Sequence, residues 1–331
     1  MCKCCVVIPT YKAKNTILSV IQGIGQEIQK IYVVDDNCPQ YSGDHVKSNC
    51  RDGRVSVIRH EKNMGVGGAV ITGYEQALKD GMDIIVKVDA DGQMDSRLIA
   101  NLIAPIVNGE ADYTKGNRFY NLSSLESMPR IRLFGNALLS LLSKLSTGYW
   151  NLFDPTNGFT AIHADVVRNL PLKKISKRFF FETDMLFRLN TLRAVVIDIP
   201  MDAIYGDEKS NLKIMKIIPE FLIKHIKNFC KRIFYNYYLR DMSIASIELP
   251  LGFFLLMGGL VYGIIHWIES SQTGMFASVG TVMLSTLPII LGIQFLLNFM
   301  SYDIYSVPTY PFHKKIHYRK IEAPAENAKT D

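Results

Sequence analysis

Residues 83–95 read DIIVKVDADGQMD. Ile84, Ile85, Val86 and Val88 make a run of strand length that opens into Asp89, Asp91, Gln93 and Asp95, so the segment reads as a strand ending in a polar turn. A calcium loop of the EF-hand type is excluded: counted from Asp89, its sixth position is Met94 and its twelfth is Ala100, where glycine and an acidic residue are required. If the strand ends near Val88, Asp89 and Asp91 straddle a tight turn and can reach one ion. Hard carboxylate oxygens suit Mg2+ or Mn2+, which keep open positions for a diphosphate. Asp95 is expected to cap a helix through SRLIANLI.

The flanking sequence repeats this pattern. CCVVIPTY (4–11), KIYVVDDN (30–37) and RVSVIRH (54–60) are apolar or alternating runs, while residues 15–24 and GVGGAVITGYEQALKDG (65–81) carry helical spacing. Such alternation predicts an α/β fold, Rossmann-like, with a mostly parallel sheet and helices on both faces. Ligands of such sheets gather at the carboxyl ends of the strands, where Asp35, Asp36, Asp89 and Asp91 fall.

The chain has 331 residues, room for one large domain plus an appendage or for two domains. Its formal charge of +6 is modest, and no nucleic-acid partner is expected. Cys2, Cys4 and Cys5 run directly into the apolar VVIP; alternation points them to opposite faces and no Cys/His pair follows at zinc-finger spacing, so they read as small buried residues. No disulfide framework is evident, which fits a reducing compartment. The apolar stretch 4–8 is too short for a signal peptide, so the N-terminal region is expected in the cytoplasm.

Residues 249–268 and 279–300 are apolar runs long enough to cross a bilayer core of roughly 30 Å. Lys and Arg crowd residues 209–240, and Lys314, Lys315, Arg319 and Lys320 follow the second run, whereas 269–278 has none. The positive-inside rule then places both flanks and both termini in the cytoplasm of a multi-pass protein of the cell membrane. Residues 218–242 mix aromatic and basic side chains: Phe221, Ile226, Phe229, Ile233 and Tyr237 can share a face, with Lys224, Lys227, Lys231 and Arg232 beside or opposite it. Such a helix can lie in the headgroup layer or pack on the soluble domain. Gly258, Gly259 and Gly263 permit close helix packing, and a homo-oligomer is left open.

VVIPTY (6–11), VVDD (33–36), NMGVGGA (63–69), VDADGQ (88–93), GNRF (116–119), DPTNGF (154–159) and FETDML (181–186), taken in order, resemble family-2 glycosyltransferases of the GT-A fold. Within that family they are similar to the polyprenyl-phosphate sugar transferases, the group of dolichol-phosphate mannose synthase. The resemblance implies a nucleoside pocket lined by Pro9, Tyr11 and Asp36 with Asp35 in support, and Gly68 in the nucleotide-sugar site. It implies a metal held by Asp89, Asp91 and Gln93, and through it the donor diphosphate. Arg118 and Arg132 would grip an acceptor phosphate. Asp154, Asn157 and Gly158 would shape the sugar pocket, with Glu182 and Asp184 nearby; Asp154 also reads as a turn former, and FETDML as the start of a packed helix. Two departures bear on the donor: Lys12, Ala13 and Lys14 follow PTY where members often carry Asn-Glu, and Val66 stands where Lys is frequent, so the base is not inherited. Asp207, Glu208 and Ser210 read equally as a closing loop or a solvated linker.

The expected organisation is a catalytic domain over 1–212 (1–105 for the nucleotide sugar, 106–212 for the acceptor side), juxtamembrane helices over 213–246, two transmembrane helices over 247–301 and a tail over 302–331. The expected activity is an inverting, metal-dependent transfer of a hexose from a UDP- or GDP-sugar to a polyprenyl phosphate of the undecaprenyl type. Transfer to a hydroxyl of a lipid-linked glycan, and a non-catalytic membrane scaffold, are the alternatives.

Overall fold

The computed structural model describes residues 2–120, 130–201 and 214–316. Two compact units result: one over residues 1–229 and 308–331, the other over residues 230–307.

The first unit is built on a seven-stranded sheet. Its strands are β1 (Cys4–Thr10), β2 (Lys30–Asp35), β3 (Val55–Arg59), β4 (Ile84–Lys87), β5 (Tyr113–Asn117), β6 (Thr160–His163) and β7 (Val196–Pro200), in the spatial order β3-β2-β1-β4-β6-β5-β7. Every residue of β1 is buried, as a strand covered on both faces requires, and this accounts for Cys4 and Cys5. β1 pairs in parallel with β2 on one side and β4 on the other; β6 alone runs antiparallel to its neighbours β4 and β5. The chain moves outward through β2 and β3, then returns to the far side of β1. The crevice above the carboxyl ends of β1 and β4 is therefore the topological switch point, where ligands of open α/β sheets bind.

Helices α1 (Ile17–Gln22), α2 (Ser42–Asn49), α3 (Val66–Lys79) and α4 (Ile99–Val107) connect the first five strands. α3 lies directly on β1: a Cβ on Gly73 would come within 2.2 Å of Val7, so the helix approaches only because that position is glycine. Helices α5 (Arg130–Thr147), α6 (Ala164–Asn169) and α7 (Phe181–Thr191) complete the unit, together with the first part of α8 (Ile214–Phe234). Residues 308–316 rejoin it: Phe312 and His313 donate their backbone N–H groups to Asp112 at 2.7 and 2.8 Å, and His313 Nδ1 lies 2.7 Å from the same carboxylate. The two compact units divide at 229 and 308.

The second unit holds α9 (Ile244–Thr273) and α10 (Val279–Tyr305), both long and apolar enough to cross a membrane. They outrun the apolar stretches because polar residues at their ends continue the helices, until Gly274 stops α9 in the left-handed conformation at φ +69°. The juxtamembrane face differs from the expected one. Arg232 is buried, its guanidinium on Asp303 at 2.6 and 3.0 Å, and Tyr237 donates to the same carboxylate; Ile226 is exposed. The polar pairing reverses what hydrophobicity alone suggests for these two positions, since a buried guanidinium is tolerated once its charge is matched.

Of the three glycines noted in the first span, Gly259 and Gly263 face α10, and Gly258 faces open space. A Cβ on Gly259 would sit 2.8 Å from the Ser285 carbonyl, and one on Gly292 would sit 2.6 Å from the Leu256 nitrogen. Both contacts are with backbone and cannot yield. Gly292→Leu is therefore expected to destabilise the hairpin by about 1–3 kcal/mol, read as a lower thermal midpoint in detergent, whereas Gly258→Leu leaves it unchanged.

Candidate active site

The crevice is organised from its floor upward. Asp35, at the end of β2, accepts from the backbone N–H groups of Cys38 at 2.7 Å and Gly43 at 2.6 Å. Asp36 accepts from those of Met64 and Gly65, both at 2.7 Å, and from His60 Nδ1 at 2.8 Å. These carboxylates hold the loops around the crevice. Pro9 lies in buried β1, and Tyr11 just beyond it is exposed at the rim.

The glycine-rich segment has a packing task. Gly65 adopts φ +84°, and the N–H groups of Gly67 and Gly68 both donate to the Lys177 carbonyl. A Cβ on Gly68 would meet Met64 at 2.6 Å. Gly68 thus brings α3 against its neighbours with its N–H already engaged, unlike the glycine loops that cradle phosphate with free amides.

β4 ends at Lys87, and the next turn places Asp89 and Asp91 at the mouth of the switch point. Gly92 turns the chain at φ +77°, and Asp91 Oδ1 accepts from the Gln93 N–H at 3.0 Å. Asp95 accepts from the Arg97 N–H at 3.0 Å, the cap expected from its position. Among the described residues, no group of three or more His, Cys, Asp and Glu side chains is placed to hold a metal. Asp89, Asp91 and Gln93 carry hard oxygen atoms on this one turn, a smaller set of candidate donors. Such a set fits Mg2+ or Mn2+ with positions left for phosphate oxygens, and does not fit a closed cage.

Beneath the turn lies a residue that the motifs did not single out. Lys87 is 1% exposed, yet its ammonium contacts Asp89 at 2.8 Å, Glu182 at 3.3 Å and the Gly158 carbonyl at 3.1 Å. The available signal was alternation: Lys87 and Asp89 are two apart and share a face, and a lysine inside IIVKV has no aqueous outlet. Burial pushes the Glu182 carboxyl up from its ordinary range, and the neighbouring Lys87 ammonium opposes that.

Glu182 and Asp184 part company. Both lie in the first turn of α7, but Asp184 accepts from the Ser176 N–H at 2.8 Å and from Asn228 of α8 at 3.1 Å. It is a packing residue that joins α7 to its surroundings, while Glu182 pairs with Lys87 of β4.

Just beyond β5, Arg118 meets Asp154 in a two-pronged pair at 2.8 and 3.0 Å. Asn157 donates to the same carboxylate at 3.4 Å, and Lys115 donates to the Asp154 carbonyl. Lys115, buried in β5, is a second lysine the motifs did not reveal; it also pairs with Asp198 of β7 at 3.6 Å. Asp198 in turn accepts from the Phe153 N–H at 3.1 Å. The 154–158 loop therefore joins two charged clusters, Arg118 with Asp154 at its start and Lys87 at its end. The side chain of Arg132 and residues 205–211, with Asp207, Glu208 and Ser210, lie outside the described residues, as do Arg319 and Lys320.

Burial opposes the charge on Asp154, but the Arg118 fork and Lys115 outweigh it and hold the carboxyl below the usual range. A carboxyl depressed in the folded state contributes stability that is full above its unfolded value near pH 4 and is lost as pH falls through the depressed value. Arg118→Met breaks this pair and is expected to cost about 3 kcal/mol at neutral pH. The gap from wild type should narrow as the pH drops below about 4, measured by unfolding midpoints across an acid series.

A family profile described as Glycosyl transferase family 2 matches residues 5–170, half of the chain. The chain is 29% identical over 215 residues to UDP-N-acetylglucosamine--dolichyl-phosphate N-acetylglucosaminyltransferase of Methanococcus voltae, spanning 61% of this chain and 85% of that protein. It is 29% identical over 199 residues to undecaprenyl-phosphate mannosyltransferase of Micrococcus luteus, spanning 59% and 81%. Among solved structures, glucosyl-3-phosphoglycerate synthase from Mycobacterium tuberculosis, in complex with Mn2+, uridine-diphosphate and phosphoglyceric acid, superimposes with a TM-score of 0.53 at 15% identity, covering 70% of this chain and 78% of that one. That likeness establishes the GT-A fold. With the sheet order, the carboxylates at its switch point and the profile match all in agreement, the chain belongs to glycosyl transferase family 2 and is a glycosyltransferase.

Proposed function

We propose that the protein transfers a hexose, with inversion, from a UDP- or GDP-sugar to a polyprenyl phosphate at the cytoplasmic face of the membrane. The observation that carries this reading is a single chain joining a family-2 sugar-transfer crevice to two apolar helices long enough to cross a bilayer. Both relatives described above are named for lipid-phosphate acceptors. The return of residues 308–316 to Asp112 supports placing both flanks of the helical hairpin on one side, since the chain leaves and re-enters the same compact unit.

Asp89, Asp91 and Gln93 would hold Mg2+ or Mn2+, which supplies charge stabilisation to the departing diphosphate. Pro9 and Tyr11 line the nucleoside side, while Asp35 and Asp36 fix the loops that shape it. Asp154, Asn157 and Gly158 frame the sugar, and Glu182 positions it from the opposite wall. Arg118, oriented by Asp154 and about one-third exposed, carries positive charge toward the acceptor.

A phosphate monoester has a second pKa of about 6 and is largely a dianion at neutral pH, so it attacks without a protein base. A hydroxyl acceptor would instead need a carboxylate to take its proton. Asp184 is turned away onto Ser176 and Asn228, and Glu182 is paired with a buried ammonium, an arrangement suited to orientation. The test is to incubate detergent-purified protein with labelled sugar nucleotides, Mn2+ and polyprenyl phosphate. A lipid-linked product cleaved by mild acid supports the reading; an acid-stable glycoside indicates the hydroxyl acceptor, and no product from any common donor overturns both.

A further inference from the structure

Lys87 ends β4 with its side chain enclosed. An ammonium has three donors, and here three segments claim them: Asp89 in the turn after β4, Glu182 at the start of α7, and the carbonyl of Gly158. The fit is tight, because a Cβ on Gly158 would fall 2.3 Å from both Lys87 Nζ and Asp89 Oδ2. Ile85, two residues earlier on the same face of β4, is fully buried with an aliphatic side chain, so this face packs without the penalty of burying a charge.

The charge has a use in the crevice. With Asp89, Asp91 and Glu182 ionised, Lys87 leaves the pocket two net negative charges, matching one divalent ion. Without it the pocket would hold three, and Glu182 would be free to swing toward the ion. We propose that Lys87 is a positioning residue for sugar transfer: its ammonium occupies Asp89 Oδ1 and ties down Glu182 Oε1, so that Glu182 stays at the sugar wall and the bare pocket holds its metal weakly. The ion is then retained chiefly together with the donor diphosphate. This proposal rests on the donor-site reading above.

The test compares full-length wild type, Lys87→Met, Glu182→Gln and the double variant, titrated with Mn2+ alone by calorimetry and then assayed with donor at saturating Mn2+. Removing a positive charge beside a ligand oxygen is expected to tighten Mn2+ binding about tenfold. The Glu182→Gln background shows the same tightening with no buried carboxylate left unpaired, which keeps the comparison available if Lys87→Met folds poorly. In transfer, Lys87→Met is expected to lower kcat about a hundredfold, with donor KM changed less than about threefold, because orientation and not donor affinity is lost. Mn2+ binding that first becomes measurable on loss of Lys87 also supports the proposal. Unchanged or undetectable Mn2+ binding in both backgrounds overturns it, as does a raised donor KM at constant kcat. Tightened Mn2+ binding in Lys87→Met, with a wild type that transfers no sugar, overturns the proposed function and leaves the role of Lys87 in metal affinity standing.

Discussion

Asp91→Asn is expected to reduce sugar transfer by about a thousandfold while leaving the protein folded in the membrane. The two halves of this expectation come from different atoms. Asp91 Oδ1 accepts the Gln93 N–H at 3.0 Å, closing the turn that Gly92 makes possible with its positive φ. The amide oxygen of asparagine accepts that same hydrogen bond, so the turn is kept. What disappears is the negative charge, and a divalent ion at this turn has few other anionic protein ligands to fall back on: Asp89 already shares its charge with Lys87 at 2.8 Å. Initial rates with labelled donor, paired with thermal midpoints for the two proteins, check both halves. Full activity in a folded variant would defeat the assignment of Asp91 to the metal.

How far the crevice was legible in sequence depends on the range of the interaction concerned. Asp95 as a cap, and Asp89 and Asp91 beyond a strand end, follow from neighbours two or three positions away, and the fold places them as their pattern indicates. The parallel sheet was legible for the same reason, since each of its first four strands is a continuous apolar or alternating run. Glu182 and Asp184 could not be told apart, because they differ by partners far along the chain: Lys87 for one, Asn228 for the other. The same limit hid Lys115, whose neighbours Asp154 and Asp198 arrive from a loop and from β7. Asp36 was expected near the crevice from its place at a strand end and Gly68 from resemblance alone, while the hydrogen bonds that tie them to residues 64–65 and to Lys177 depend on tertiary placement. Antiparallel β6, inserted between β4 and β5, is likewise a tertiary fact, for nothing in TAIH specifies the direction of its partners.

Gly158→Ala is expected to lower transfer about a hundredfold with at most a small change in thermal midpoint. The added methyl would fall 2.3 Å from Lys87 Nζ and from Asp89 Oδ2, a separation no carbon atom tolerates, so one of them must move. Both are ends of side chains and not backbone, which is why the sheet beneath can stay intact. Yet neither end is slack: Lys87 is held by Glu182 and by the carbonyl of Gly158 itself, and Asp89 lies on a short turn. Displacement of either by about 1 Å is enough to misplace the reacting groups. The loss should appear in kcat, and Mn2+ affinity should shift with it, because the Lys87–Asp89 contact that sets the charge at the ion is the one being pried apart. An Asn157→Ala variant separates this from a general loosening of the 154–158 loop: it removes the hydrogen bond to Asp154 without adding volume beside Lys87. If Gly158→Ala retained full kcat, the close approach of Gly158 to the two charges would be incidental to catalysis, whatever Asn157→Ala did through the loop or the sugar.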